Sequence, residues 1–207
     1  MAGARSADLR RLAVLAGFVA WVAACVILAA YLLSAHLLTL PAPSSDDLAL
    51  QRAIAAQRRP AQRGRWLVVH VLDEQCKCSL QVLDHLLAGD RPRDVVERVV
   101  LIAATVEPGR LRAIRARGFD LDIVTPDELN ERYGVAVAPL LVVVDPGDIV
   151  RYVGGYGQRK QAAELRDAAV IASLRAGIPV PALPTFGCAV GRRLQATIDP
   201  LGLRGWK

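Results

Sequence analysis

The sequence predicts an α/β fold, with a central sheet flanked by helices and one transmembrane helix before it. Three observations support this. An uncharged apolar run, Leu12 to Leu40, lies near the N-terminus. Strand-like and helix-like apolar patterns alternate between residues 66 and 177, as in a domain whose sheet carries helices on its faces. Two cysteines one residue apart, Cys76 and Cys78, follow the first of these strands.

The apolar run is long enough to cross a membrane, which takes about 20 residues. The hydrophobic part of a cleaved signal peptide is shorter, roughly 7–15 residues, so a retained anchor at residues 12–40 is the favoured interpretation. Three arginines and one aspartate lie in residues 1–11, and positive flanks stay cytoplasmic. We therefore expect a single-pass protein of the inner membrane, with a cytoplasmic N-terminus and a periplasmic domain.

The net charge of +6 does not indicate a nucleic-acid partner. Charges of both signs are scattered along the chain, and the few aromatic residues do not alternate with a basic stripe, as nucleic-acid binding would need. Residues 41–65 are expected to be a linker. In it, Ser44 and Ser45 cap a spacer helix over 46–58, and a solvated basic stretch covers 57–65.

The predicted domain, residues 66–177, begins with a strand over 66–72 that is aliphatic with little alternation, as expected for a strand buried on both faces. Periodicity and glycine or proline punctuation predict the other elements. In chain order they are a helix over 79–88, a strand over 95–105, a helix over 109–117, a strand at 123–124, a helix over 126–133, strands over 140–144 and 149–153, and a helix over 158–176. Pro146 and Gly147 predict a type II turn between the last two strands.

This order of elements, with Cys76-Lys77-Cys78 at a strand-to-helix turn and Ala138-Pro139 before a buried strand, resembles the thioredoxin-like fold family over about residues 64–176. The resemblance implies a thioredoxin-like central sheet, a redox-active turn and a cis bond before Pro139. It also implies that the backbone of Ala138 lies beside the turn and pairs with an extended substrate, as in strand addition. The usual turn of the family is Cys-x-x-Cys, from which this sequence departs by one residue.

The thiolate is the reactive form of cysteine, and a helix N-terminus lowers the pKa of a thiol. Cys76 stands at such an end. By analogy with the family, Cys76 is the attacking thiol and Cys78 the resolving thiol. Lys77 would lower the pKa of Cys76 whereas Asp73 and Glu74 would raise it, so the sequence leaves the net direction open. A disulfide between such close cysteines is expected to be strained and easily reduced.

Two further residues are candidates. His70 precedes Cys76 by six residues, where thioredoxins carry a buried acid that moves protons for the resolving cysteine. Imidazole titrates near neutral pH, although a simple core histidine is the alternative. The C-terminal extension, 178–207, is predicted to be extended and proline-rich, then helical to about Ile198. Cys188 is expected at the start of that helix, either as an acidified third redox thiol or as a buried free cysteine.

Together these features favour a membrane-anchored periplasmic thiol–disulfide oxidoreductase without a metal or another cofactor. Its partners would be thiols and disulfides of exported or membrane proteins, and a mixed disulfide would be the intermediate. The predicted catalytic residues are Cys76, Cys78, Ala138, Pro139, Cys188 and His70. A Cu(I)-binding, metallochaperone-like module is one alternative, because two thiolates suit a soft ion. A non-catalytic thioredoxin-like interaction domain is the other.

Overall fold

A computed structural model of the chain describes residues 2–92, 94–160, 164–200 and 202. The chain divides into two compact units, Met1–Leu38 and Thr39–Lys207. The first unit contains one helix, α1 (Ala2–Leu37). The segment Arg10–Leu33 of α1 has a mean hydropathy of 2.6 and is not buried. A helix of this length and composition can cross a membrane, and a signal sequence has the same character.

The second unit is a mixed α/β domain. Its main strands are β1 (Trp66–Asp73), β2 (Val95–Ile102), β3 (Asp120–Val124), β5 (Leu140–Val144) and β6 (Val150–Gly154). They form a five-stranded sheet in the order β3-β2-β1-β5-β6. A second sheet pairs β4 (Val137–Ala138) with β7 (Cys188–Ala189). The helices are α2 (Leu48–Gln57), α3 (Lys77–Ala88), α4 (Pro108–Ala116), α5 (Pro126–Tyr133), α6 (Asp167–Arg175) and α7 (Arg192–Ile198), with a 3₁₀ turn at Pro60–Gln62.

The central strand β1 sets the position of the rest. It pairs in parallel with β2 and antiparallel with β5. Leu67 and Val69 pack into the core on one face, and Val68 and Leu72 pack against α3 and α6 on the other. Burial on both faces explains the aliphatic run without alternation. The predicted fold class is confirmed: a thioredoxin-like central sheet flanked by helices, with an apolar helix before it in the chain.

The helix predicted over 158–176 is wrong in extent, because α6 begins at Asp167. Residues 156–160 form bends and a turn, and 161–163 lie outside the described residues. The amide of Arg166 donates a hydrogen bond to the carbonyl of Tyr156 at 2.8 Å, which closes a loop before α6. The helix start is fixed by Asp167, a fully buried carboxylate bound to Arg91.

The predicted type II turn between β5 and β6 is also wrong. That turn needs a positive φ at Gly147, whereas the residue with positive φ is Asp148, at 67°. The side chain of Asp145 accepts hydrogen bonds from the amides of Gly147 at 2.8 Å and Ile149 at 3.0 Å. A left-handed residue after the turn is typical of three-residue hairpin loops, and aspartate tolerates that conformation.

The segments expected as a spacer and as an extension both pack into the domain. Leu50 and Ile54 of α2 are buried in the same core cluster as β5 and α5. In the stretch expected to be solvated, Arg58 is buried and donates to the carbonyl of Asp145 at 3.1 Å. In the C-terminal extension, the carbonyl of Thr185 accepts a hydrogen bond from the amide of Leu40 at 2.8 Å. Residues 201 and 203–207 of the extension lie outside the described residues.

Candidate functional site at the thiol cluster

Cys76 is the N-cap residue of α3, directly beyond the carboxyl end of β1. Its amide donates to the carbonyl of Asp73 at 3.1 Å, and its carbonyl accepts from the amide of Leu80 at 3.0 Å. Its Sγ lies 3.9 Å from the carbonyl oxygen of Ala138, and the peptide bond between Ala138 and Pro139 is cis. Three of the predicted site residues are thus together, and Cys76 is only 1% exposed.

Cys188 brings a second sulfur into contact, with its Sγ 2.8 Å from Sγ of Cys76. It belongs to β7, which runs antiparallel to β4 and places Cys188 opposite Ala138. The expectation that Cys188 begins a helix is wrong, because α7 begins at Arg192 with Gly191 as its N-cap. Strand pairing, and not a helix N-terminus, positions this thiol.

Hydrogen bonds within the cluster make the three thiols unequal. The thiols of Cys188 and Cys78 donate to Cys76 and hold its pKa far below the usual range, although burial acts in the opposite direction. The same hydrogen bonds, together with burial, raise the pKa of Cys78 and the pKa of Cys188. The direction that the sequence left open is therefore set by the neighbouring thiols. Of the three sulfurs, Cys76 is therefore the one whose environment favours the thiolate, and the other two lie as donors toward it.

Ser79 is a site residue that the sequence analysis missed. It lies in the first turn of α3 and is buried. Its amide lies toward the Cys76 sulfur and lowers the pKa of Cys76 further, whereas its buried hydroxyl forms no hydrogen bond of good geometry with a described residue. Its spacing could have identified it in the sequence. Ser79 is the third residue after Cys76, the position of the second cysteine in a Cys-x-x-Cys turn.

Cys78 is half-buried and borders a different space. It lines a cleft with Pro139 and Tyr156, and Pro184 and Phe186 from the C-terminal segment form another part of the wall. Among the described residues, no group of three or more His, Cys, Asp or Glu side chains is arranged to hold a metal ion.

His70 is fully buried and belongs to an ionic network. Its Nδ1 lies 2.8 Å from the hydroxyl of Tyr156, and its Nε2 lies 3.5 Å from Oε1 of Glu97. Arg91 donates to Oε2 of Glu97 at 2.7 Å and to Oδ2 of Asp167 at 2.9 Å. Tyr156 therefore connects this network with the cleft that Cys78 lines.

The network holds two buried carboxylates in the charged form. Burial would raise the pKa of Glu97, but the hydrogen bonds from His70 and Arg91 outweigh burial and lower it. Burial would also raise the pKa of Asp167. Arg91 and the nearby histidines outweigh burial, and the pKa of Asp167 is lowered. Nε2 of His85 lies 2.9 Å from Oδ1 of Asp167, and the half-exposed His85 links the network to the surface.

No protein-family model matches the sequence, and the search of curated proteins found no match. Among solved structures, the chain is similar to a hypothetical protein of Sinorhizobium meliloti 1021 at 19% identity and a TM-score of 0.50, over 62% of this chain and 80% of that one. A second is a secreted disulfide oxidoreductase of Mycobacterium tuberculosis homologous to E. coli DsbE, at 14% identity and a TM-score of 0.40, over 57% of this chain and 85% of that one. A third is the thioredoxin domain of a Bacteroides vulgatus thiol–disulfide oxidoreductase, at 15% identity and a TM-score of 0.39, over 69% of this chain and 97% of that one.

Proposed function

We propose that this protein is a membrane-anchored thiol–disulfide oxidoreductase with a periplasmic domain, in which Cys76 is the attacking thiol. One observation carries the proposal. The Cys76 sulfur, whose pKa is lowered by donors around it, lies at a helix N-terminus with a second cysteine sulfur 2.8 Å away. A thiolate beside a second thiol is what thiol–disulfide exchange requires.

In the reducing direction, the Cys76 thiolate attacks one sulfur of a substrate disulfide. A Cys76–substrate bond forms, and the other substrate sulfur leaves as a thiolate that takes a proton. Cys78 then attacks Cys76, which closes a Cys76–Cys78 disulfide and releases the second substrate thiol. Two electrons pass to the substrate, and an external dithiol must reset the pair. The oxidising direction is the reverse sequence, with a substrate dithiol as the electron donor.

Cys78 must lose its proton to act as the resolving thiol, and burial, which raises its pKa, opposes that loss. We propose His70 as the acceptor. Tyr156 supports this role, since it lines the cleft beside Cys78 and its hydroxyl lies 2.8 Å from Nδ1 of His70. Replacement of His70 by glutamine should then shift the pH profile of the resolving step, whereas a purely structural histidine would change only stability.

Helix α1 supports the proposed anchor, which would confine the domain to a layer near the inner membrane and favour exported or membrane-bound partners. In this topology, we expect alkaline phosphatase fused after residue 207 to be active. We also expect the protein without a fusion to remain with the membrane at its full mass of 22.3 kDa. A shorter, soluble product would instead identify the apolar helix as a cleaved signal.

The central test is a redox titration of the full chain in detergent, with glutathione buffers, thiol alkylation and mass spectrometry. We expect a reversible two-electron transition that includes Cys76 and is abolished in Cys76→Ser. Cys25→Ser is the matched control, because Cys25 lies in α1, away from the domain's thiols in sequence and in a separate unit. Absence of any Cys76 disulfide under every oxidising buffer would refute the proposed function.

A further inference from the structure

The geometry points to a built-in substrate. We propose that residues 185–191, here called the tail strand, occupy the edge of β4 where an extended substrate pairs, with Cys188 in the position of the substrate cysteine. The inference rests on the proposed function and names its substrate class. That class is an extended protein segment with a cysteine that follows a glycine and precedes a small residue, as in Gly187-Cys188-Ala189.

Backbone pairing carries the first step of the argument. In the described part of the chain, β4 lies outside the five-stranded sheet and pairs with β7 alone. Cys188 is opposite Ala138, and the amide of Val190 donates to the carbonyl of Ala136 at 2.8 Å. The tail strand therefore satisfies an edge that would otherwise be open, in the way that an added peptide strand does.

The second step is a close fit that only glycine allows. A Cβ at Gly187 would lie 2.1 Å from the carbonyl oxygen of Ala138 and 2.5 Å from Cδ of Pro139. On the domain side, a Cβ at Gly155 would lie 2.1 Å from the carbonyl oxygen of Pro184. Neither glycine has a positive φ, so space and not backbone conformation demands glycine. Both surfaces are shaped for the docked segment.

The side chains after Gly187 complete the fit. Cys188 directs its thiol to the Cys76 sulfur at 2.8 Å. Ala189 and Val190 are buried, at 1% and 5% exposure. A substrate segment in the same place would bury its residue after the cysteine in the same way, which selects a small side chain there.

The tail strand can also enter the chemistry. In the oxidised chain, the Cys188 thiolate attacks Cys76 in the Cys76–Cys78 disulfide, a Cys76–Cys188 bond forms, and Cys78 leaves as a thiolate that takes a proton. One disulfide replaces another, so no oxidant or reductant is consumed. In either redox state the tail strand covers Cys76, and a substrate must displace it before it can react.

The first experiment measures recognition with two peptides. One has the sequence of residues 185–191, Thr-Phe-Gly-Cys-Ala-Val-Gly, and the other has alanine in place of its first glycine. The cysteine of each is joined to 2-nitro-5-thiobenzoate, whose release is followed by absorbance. The protein is the reduced full chain in detergent with Gly187→Ala, so that its own tail strand does not compete.

We expect the glycine peptide to react with Cys76 at least about tenfold faster than the alanine peptide, because the added methyl group would overpack the docked segment. Equal rates for the two peptides would overturn the inference.

The second experiment measures how well the tail strand covers Cys76, by its rate of labelling with iodoacetamide in the reduced full chain. Gly187→Ala should raise the rate about tenfold or more, because the added methyl group expels the tail strand. Gly177→Ala is the control: its positive φ of 76° strains any side chain, but its Cβ would meet no atom within 4 Å. A similar rate in both variants would overturn the inference.

Failure of the inference is distinguishable from failure of the proposed function. Free Ellman's reagent, a small disulfide, does not need the β4 edge. If Cys76 reacts with it while the two peptides react equally, the thiol chemistry stands and the substrate class falls. If Cys76 reacts with no disulfide in any variant, the proposed function falls and the inference falls with it.

Discussion

Two strands, β1 and β7, lie near the Cys76 sulfur, and they differ in how extensively they are paired. β1 pairs with β2 along all of Trp66–Asp73 and with β5 from Leu67 to Val71, and both of its faces are buried. β7 pairs only at Cys188 and Ala189. Because the extent of pairing contributes to the free energy of opening an element, we expect β1 to act as a fixed scaffold and β7 to open more readily. Cys76 follows the extensively paired strand, whereas Cys188 belongs to the briefly paired one.

The largest effect on stability is expected at the ionic network beside the scaffold. Arg91→Met removes the cation between Glu97 and Asp167 and leaves these two buried carboxylates with their histidine contacts but without the arginine charge. We expect the free energy of unfolding to fall by about 3–5 kcal/mol, measured by urea unfolding of the full chain in detergent. Arg52→Met, at an exposed arginine of α2, should change it by less than about 0.5 kcal/mol. Equal losses in both variants would contradict this account of the network.

The same network predicts how stability depends on pH. The pKa values of Glu97 and Asp167 are lowered in the folded state from 4.5 and 3.8. The stabilisation is therefore fully present above those values and is lost as the pH falls through the lower folded pKa values. Unfolding free energies measured from pH 7 down to about 3 should fall steeply below about pH 4, and less steeply in Glu97→Gln. Identical slopes would show that these carboxylates are not responsible.

A cavity in the core beside β1 should lower the free energy of unfolding somewhat less than Arg91→Met does. Leu141 of β5 lies opposite His70 of β1 and is fully buried, so Leu141→Ala should lower the free energy of unfolding by about 2–5 kcal/mol. Ile149→Ala, at a half-exposed hairpin residue, is the control and should cost well under 1 kcal/mol. The comparison of strands fails if the Leu141 variant unfolds like the wild type.

The smallest energetic effect is expected in the tail strand, where the substitution should stabilise and not destabilise. Thr185 is buried, and its hydroxyl has no hydrogen-bond partner among the described residues. Thr185→Val should strengthen docking by about 1 kcal/mol and slow iodoacetamide labelling of Cys76 about fivefold. Thr197→Val, which alters an exposed hydroxyl of α7, should leave the rate unchanged. Faster labelling in the Thr185 variant would show that its hydroxyl is satisfied in the docked state.

The scaffold could be predicted from sequence because its signals are local. The aliphatic run of β1, the capped helix after Thr125 and the cysteines at the strand-to-helix turn each lie within one short window. The pairing of Cys188 with Ala138 could not be predicted, because two residues carry no periodicity and their partner is distant in sequence. The excess length given to α6 has another cause. The sequence of residues 158–166 is rich in good helix formers, but residues 158–160 form bends and a turn, and the amide of Arg166 is bound by the carbonyl of Tyr156.

A chain cut after Gly177 would lose β7 and bare the backbone groups of Val137 and Ala138. Unpaired strand edges act as templates for other chains, and this edge lies beside the Cys76 sulfur. Truncated copies would pair with one another or with other polypeptides at this edge. Disulfide bonds to Cys76 would then link them covalently. Removal of the C-terminal segment is therefore expected to give a protein that associates through this strand edge and migrates as disulfide-linked adducts.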